Sequence, residues 1–210
     1  MKGLIYKDLM QLKTQKTGLL FVLFLSIVFS FTFLKEGAVV SFCLFVMLIN
    51  VTSTITMDEY NNFLGYLLSL PVSRHDYVKS KYVFAILLFG STWFLGSLLS
   101  LLTDYILTKQ LHIEIMSSTV MMPLMVMVIF AISLPFLLKF GGEKGRLIMS
   151  GVIGLVFGVS VYFMQFGEVL FQTISNASLT SILALTIVIV AVITLVSYGA
   201  SIKVMAKKDL

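Results

Sequence analysis

The sequence predicts an all-α membrane protein with six transmembrane helices. Of its 210 residues, 59% are hydrophobic and only 12% are charged, and the mean hydropathy is +1.03. Soluble domains carry about 25% charged residues, and one helix that crosses a bilayer needs roughly 20 apolar residues. The apolar content therefore allows about six spans in a single transmembrane domain over residues 1–210. Too little chain remains for an extramembrane catalytic or nucleotide-binding domain.

Six long apolar runs define the spans. The first run follows four lysines, as in a signal peptide, but no small-residue cleavage site follows it and the second run begins almost at once. We therefore expect the first run to be a retained helix. The predicted spans are about 18–34, 38–57, 82–103, 117–138, 147–165 and 179–202.

The positions of the basic residues predict the orientation. With both termini in the cytoplasm, all of the 15 lysines and arginines except Lys35 and Lys109 fall on the cytoplasmic side. Basic residues that flank spans remain in the cytoplasm during insertion. The opposite orientation would require most of these charges to cross the membrane, so we expect cytoplasmic termini.

Residues 1–17 are predicted to form an interfacial helix that leads into the first span. Ile5, Leu9 and Leu12 recur at helical spacing on one face, and Lys7 and Gln11 occupy the other. Basic side chains at this position would favour anionic headgroups. The alternative is an ordinary basic flank that only sets topology.

The loop over 58–81 is predicted to contain two short helices on the cytoplasmic side. An amphipathic pattern covers Glu59 to Leu70, and Pro71 ends it. Ser73 and Asp76 then have the spacing of a capping box, which predicts a second helix that runs into the third span. Such a loop helix can lie on the bilayer or dock on a partner protein.

No residue pattern predicts catalysis or metal binding. Ionisable residues are absent from the middle of the predicted spans, where they would indicate proton or ion coupling. His75 and His112 fall on opposite sides of the membrane, so they cannot share a metal or a nucleophile. The glycine-rich segment 141–146 lacks the order of a phosphate-binding loop and is interpreted as a tight turn. We expect a chain that is not an enzyme and has no cofactor of its own.

Uncharged polar and small residues mark two further candidate surfaces. Met47, Asn50 and Thr54 form a stripe that could line a translocation path, or Asn50 could form an ordinary hydrogen bond between helices. A ladder of small residues in the fifth predicted span permits close helix packing, within one chain or between two copies. That ladder consists of Ser150, Gly154 and Gly158.

The sequence resembles the ABC-2 type permeases, in particular small bacterial members with six spans. The resemblance is carried by DEYNNFLGYLLSLPVSRHDYVKSKYV at 58–83, which contains the segment SLPVSR, and by MKGLIYKDL at the N-terminus. Among these permeases it is most similar to exporters of amphipathic peptides, including those of phenol-soluble modulins and of bacteriocin immunity. The resemblance implies a multi-pass protein of the bacterial plasma membrane.

The resemblance also implies partners. The chain would pair with a second copy or a paralogous permease, and separate cytoplasmic ATPase subunits would bind ATP and Mg. The loop would carry a coupling helix seated on the ATPase, beside the interfacial helix and membrane lipids. The residues assigned to ATPase coupling are Asp58, Glu59, Phe63, Tyr66, Leu67 and Arg74.

One rival function remains from another class. A non-transporting membrane scaffold or sensor subunit could use the same basic loops to recruit a cytoplasmic partner. Neither interpretation predicts nucleic acid as a partner.

Overall fold

A computed structural model describes residues 2–14, 24, 28, 38–67, 73–109, 119–166 and 179–207 of the chain. Across these ranges the regular secondary structure is α-helical. The helices are α1 (Lys2–Thr14), α2 (Ala38–Tyr60), α3 (Phe63–Leu67), α4 (Arg74–Thr108), α5 (Met121–Phe166) and α6 (Leu179–Lys207).

Four stretches of the described helices are long and apolar enough to cross a membrane. The all-α membrane class is therefore confirmed, whereas the number six stays a prediction. The first predicted span lies outside the described residues apart from Phe24 and Val28, and the fifth falls in the second part of α5. The four candidate spans are Val40–Tyr60, Arg74–Leu102, Met121–Gly142 and Leu183–Lys207.

The junction between α2 and α3 differs from the prediction. Helix α2 continues to Tyr60 rather than stopping at residue 57, and a new helix, α3, begins at Phe63 and is described as far as Leu67. Asn62 separates the two helices because its φ of 50° is left-handed, a conformation that asparagine adopts more readily than most residues. The apolar pattern over Glu59 to Leu70 predicted one helix because it could not register this turn.

The start of α4 agrees with the predicted capping box. Ser73 is the N-cap residue, and its hydroxyl accepts the backbone N–H of Asp76 at 3.1 Å. The same hydroxyl donates to the Asp76 carboxylate at 2.8 Å. From Arg74 the helix continues without interruption to Thr108, as the capping signal predicted.

Helix α5 bends at Gly141, inside the glycine-rich segment where a turn was predicted. Gly141 has φ 82° and ψ 176°, a backbone conformation that is essentially restricted to glycine. Beyond the bend, Gly142 lies against Thr56, and Met149 and Ile153 share a cleft with Phe45 and Ile49. The second part of α5 therefore runs back along α2.

Aromatic side chains build the core between α4 and the first part of α5. The Phe130 ring packs edge-on against Tyr82 and Phe89, with centroid separations of 5.9 and 5.8 Å. The Tyr82 hydroxyl lies 2.7 Å from the Ser197 hydroxyl of α6. Ser197 in turn donates to the carbonyl of Ala131. Consecutive buried hydrogen bonds thus join α4, α5 and α6.

We expect Gly141→Ala to destabilise the fold. A Cβ at this position would lie 2.5 Å from a Glu59 carboxylate oxygen, and the positive φ disfavours any side chain. The expected cost is about 1–3 kcal/mol in the free energy of unfolding, measured by denaturant unfolding of the purified chain in mixed micelles.

Gly151→Ala is the matched control. Gly151 is helical and exposed, and nothing described lies within 4 Å of an added Cβ. Alanine should stabilise this site by roughly 0.5–1 kcal/mol because it lowers the entropy of the unfolded chain. Equal effects at the two glycines would show that the bend at Gly141 needs no special backbone conformation.

Candidate functional site

Four charged side chains meet where α1 crosses the ends of α2 and α4. The Lys81 ammonium lies 2.8 and 2.9 Å from the two Asp8 oxygens and 2.8 Å from Asp58 Oδ2. Lys7 pairs with the other oxygen of Asp58 and lies 3.2 Å from Asp8. We call Lys7, Asp8, Asp58 and Lys81 the ion network.

The ion network is charge-balanced and hydrogen-bonded, and all of its side chains except the partly exposed Lys7 are buried. Asp8, Asp58 and Lys81 are 0%, 3% and 1% exposed. The Tyr77 hydroxyl donates to Asp58 Oδ2 at 3.1 Å, and Lys81 also donates to the Thr54 hydroxyl at 3.3 Å. Buried charges are tolerated only when they are paired and further hydrogen-bonded, and these contacts meet both conditions.

These charges correct one conclusion from the sequence. The sequence placed no ionisable residue in the middle of a predicted span, yet Asp58 and Lys81 are buried and lie within the candidate spans Val40–Tyr60 and Arg74–Leu102. Both residues were assigned to the loop because the predicted spans end at residue 57 and begin again at residue 82.

The face that α1 packs against the other helices contains a charged residue. Leu4, Asp8 and Leu12 are buried at intervals of four residues, whereas Leu9 is exposed and Ile5 is partly buried. The sequence placed Ile5, Leu9 and Leu12 on the apolar face of an interfacial helix, and that assignment stays a prediction. The helical pattern did not reveal the burial of Asp8, which is possible because Lys81 supplies its counter-charge.

The short helix α3 attaches directly to the ion network. The Lys7 ammonium lies 3.9 Å from the centroid of the Phe63 ring, within the range of a cation–π contact. Leu67 is fully buried in the core. The two residues therefore fix α3 against α1 and the ends of the spans.

Glu59 and Arg74 hold the same region to more distant parts of the chain. The Glu59 carboxylate accepts the backbone N–H of Gly142, next to the bend in α5. Arg74 donates to the carbonyls of Met205 and Ala206, both at 3.1 Å. Because these carbonyls lie in the last turn of the described part of α6, Arg74 acts as a cap for that helix.

Of the residues assigned to ATPase coupling, Tyr66 is the one that the structure leaves largely exposed. Its side chain is 61% exposed, and Tyr60 on the preceding turn is 87% exposed. Asn61 and Asn62 between them are exposed as well. The junction of α2 and α3 thus exposes Tyr60 and Tyr66, while the neighbouring Asp58 is buried.

The predicted path-lining stripe does not form one open surface. Thr54 is 2% exposed and donates to the carbonyl of Val51 at 2.8 Å. Asn50 donates to the carbonyl of Val46 at 2.9 Å in its own helix, and Met47 packs partly against the core. Asn50 and Met47 keep partial exposure, but Thr54 belongs to the surroundings of Lys81.

A cleft of about 250 Å³ lies instead on another face of α2, against the second part of α5. Thr52, Ser53, Thr56 and Ser150 supply hydroxyl groups to it, and its remaining walls are apolar. Thr52, Ser53 and Thr56 follow one another closely in the second predicted span, so their clustering was a sequence signal for this cleft. The apolar walls are Phe45, Ile49, Met149 and Ile153.

The small-residue ladder of α5 points outward. Ser150 and both glycines are exposed, and no described atom lies within 4 Å of a Cβ built on Gly154 or Gly158. The Ser150 hydroxyl donates to the carbonyl of Leu147 at 2.7 Å. Within the described part of the chain, close packing at the two glycines is thus not present, and a contact with a second chain stays a prediction.

A substitution cycle tests whether the ion network acts as one unit. Lys81→Met alone leaves two buried carboxylates facing one lysine, so we expect a loss of about 3–5 kcal/mol in the free energy of unfolding. Asp8→Leu combined with Lys81→Met leaves the balanced pair Lys7 and Asp58 and should be less destabilising than Lys81→Met alone. Denaturant unfolding in mixed micelles measures these two variants and Asp8→Leu alone, which completes the cycle.

Lys79→Met is the control for this cycle, since Lys79 is an exposed lysine on the same helix. It should change the free energy of unfolding by less than about 0.5 kcal/mol. Strictly additive losses at Asp8 and Lys81 would rule out a coupled network.

Comparison with known proteins supports a single family. The family model described as ABC-2 family transporter protein matches residues 3–206. No curated protein and no solved structure matches the chain significantly. The match extends over both α1 and α6, so the elements that contribute to the ion network and the cap at Arg74 all fall inside it. The chain belongs to the ABC-2 family of membrane transporters.

Proposed function

We propose that this chain is the permease subunit of an ATP-driven exporter. It forms the translocation path with a second permease subunit, either another copy of itself or a paralogue, while separate ATPase subunits bind ATP and Mg. Family membership supports the permease role. The observation that carries the mechanism is the ion network, because it joins the segment next to α3 to the ends of two candidate spans.

The coupling segment 58–74 has an outer and an inner part in this proposal. Tyr66, with Tyr60, contacts the ATPase, since large exposed tyrosines are typical anchors of protein interfaces. Asp58, Phe63 and Leu67 keep α3 fixed to the spans. Glu59 and Arg74 extend the rigid region to α5 and α6. Movement of the ATPase against α3 would then move the attached spans as well.

The ends of the helices that carry the ion network face the cytoplasm in this proposal. The distribution of basic residues supports this orientation, and so does the need for α3 to reach a cytoplasmic ATPase. The exposed side chains of α1, among them Tyr6, Leu9 and Met10, suit contact with the membrane interface. We place the protein in the bacterial plasma membrane.

Amphipathic peptides are the proposed cargo. The sequence resemblance to peptide exporters supports this class, and the cleft between α2 and α5 has the matching character of apolar walls with hydroxyl groups. A second permease subunit placed against the outward ladder at Gly154 and Gly158 would lie close to Ser150 at the same cleft. A path between two subunits could then include this surface.

Replacing the two exposed tyrosines tests the ATPase contact. We expect the double variant Tyr60→Ala and Tyr66→Ala to weaken association with the ATPase about tenfold or more. The measurement is the amount of ABC ATPase, identified by mass spectrometry, that copurifies with the chain from its native membranes. Its unfolding transition should match that of the unmodified chain because both side chains are exposed.

Tyr105→Ala is the matched control. Tyr105 is 53% exposed near the opposite end of α4, so its removal should leave ATPase copurification unchanged. Unaltered copurification of the double tyrosine variant would exclude this contact surface. Failure of the unmodified chain to copurify with any ABC ATPase would favour the scaffold interpretation.

The ion network should be required for coupling rather than for docking. The charge-balanced variant Asp8→Leu with Lys81→Met retains Tyr60 and Tyr66 and should still bind the ATPase. It also detaches α4 from α1, so export per ATP hydrolysed should fall about fivefold or more. The assay follows a fluorescein-labelled amphipathic helical peptide in inside-out vesicles, together with phosphate release.

Lys79→Met serves again as the control for coupling, since it removes an exposed charge from the same helix. Full export per ATP in the charge-balanced variant would contradict the transmitting role of the ion network. Loss of ATPase binding in that variant would instead assign the network to the docking surface.

A further inference from the structure

Three lysines line a pocket at the end of the bundle that carries the ion network. The pocket has a volume of about 420 Å³ and lies between α5 and α6. Its lining consists of Lys139, Lys203, Val204 and Lys207. Lys203 and Lys207 are four residues apart on one helix, so both project towards the same side.

The charge in this pocket is not balanced by the described residues. All three lysines are exposed, and no described carboxylate lies within 4 Å of their ammonium groups. The flanking segments 139–146 and 203–209 together contain six basic and two acidic residues. Like charges four residues apart on a helix repel each other, so an external anion would stabilise this arrangement.

The lysines are not needed to cap α6. Arg74 already donates to the carbonyls of Met205 and Ala206 at the end of that helix. This contact leaves the ammonium groups of Lys203 and Lys207 available to a ligand. The ion network differs in this respect, because its two lysines and two aspartates neutralise one another within the chain.

The position of the pocket indicates the source of the anion. It lies at the ends of the candidate spans Met121–Gly142 and Leu183–Lys207, where a bilayer would place its headgroups. Phe136 and Phe140 are exposed beside Lys139, and their rings stack with an angle of 9° between planes. Basic pockets between membrane helices are suited to phospholipid headgroups, with apolar side chains nearby for the acyl chains.

We propose that the pocket binds the phosphate headgroup of an anionic phospholipid. The three ammonium groups contact the phosphate oxygens, while Val204 and the stacked phenylalanines contact the glycerol and acyl regions. The lipid thereby joins the end of the first part of α5 to the end of α6. This site is independent of the proposed exporter function, since it depends only on residues of this chain.

Native mass spectrometry of the full chain in detergent tests the proposal. Dioleoyl phosphatidylglycerol should bind with a defined stoichiometry and more tightly than dioleoyl phosphatidylcholine. Lys203→Gln should weaken phosphatidylglycerol binding about fivefold, and Lys203→Gln with Lys207→Gln should weaken it further. Lys203→Arg retains the charge and should bind within about twofold of the unmodified chain.

Two comparisons distinguish specific binding in the pocket from non-specific attraction to surface charge. Lys79→Gln removes an exposed lysine from α4, outside the pocket, and should leave phosphatidylglycerol binding unchanged. An equal loss in Lys79→Gln and Lys203→Gln would indicate diffuse attraction by surface charge and overturn the site. Equal binding of the two lipids would overturn it as well.

Inorganic phosphate distinguishes a lipid headgroup from a free anion. If the site is built for a lipid, phosphate alone should bind much more weakly than phosphatidylglycerol and should not displace it at equal concentration. Displacement of the lipid by an equal concentration of phosphate would assign the pocket to a soluble anion and overturn the proposal.

Discussion

The mutual neutralisation of two lysines and two aspartates determines how the three helices at one end of this chain are arranged. A single unpaired charge at these depths would be strongly unfavourable, so Lys81 requires Asp8 and Asp58 in contact at the same time. That requirement sets the position of α1 across α2 and α4. The attachment of α3 follows, because Phe63 packs on Lys7, which is itself paired with Asp58.

Contacts between residues close in sequence could be predicted, whereas those between distant residues could not. The composition gave the helical membrane class, and the spacing of Ser73 and Asp76 gave the start of α4 because a cap depends on residues three positions apart. The pair Asp8 and Lys81 spans 73 residues, so no local pattern reveals it. The burial of Asp8 was missed for the same reason, since the helical pattern of α1 taken alone assumes that charges face outward.

The candidate site shows a similar division. The segment 58–74 was singled out from the sequence, but the contacts of its individual residues required the fold. As charged residues, Glu59 and Arg74 were assigned to a docking surface. Each instead forms a hydrogen bond with a backbone group far away in the sequence. Tyr60 falls within the amphipathic pattern predicted from Glu59 to Leu70, yet it is exposed at the end of α2, where the left-handed Asn62 interrupts the helix.

The zero net charge of the ion network has a consequence for how the protein tolerates ionic strength. Dissolved salt screens exposed charges over about 10 Å at 0.1 M but scarcely reaches pairs that water does not contact. Exposed lysines such as Lys13 and Lys79 lose much of their attraction for anionic surfaces under those conditions. The contacts among Asp8, Asp58 and Lys81 persist. A wash at high salt concentration should therefore remove molecules bound only through exposed lysines, while the contacts of the ion network between α1, α2 and α4 remain.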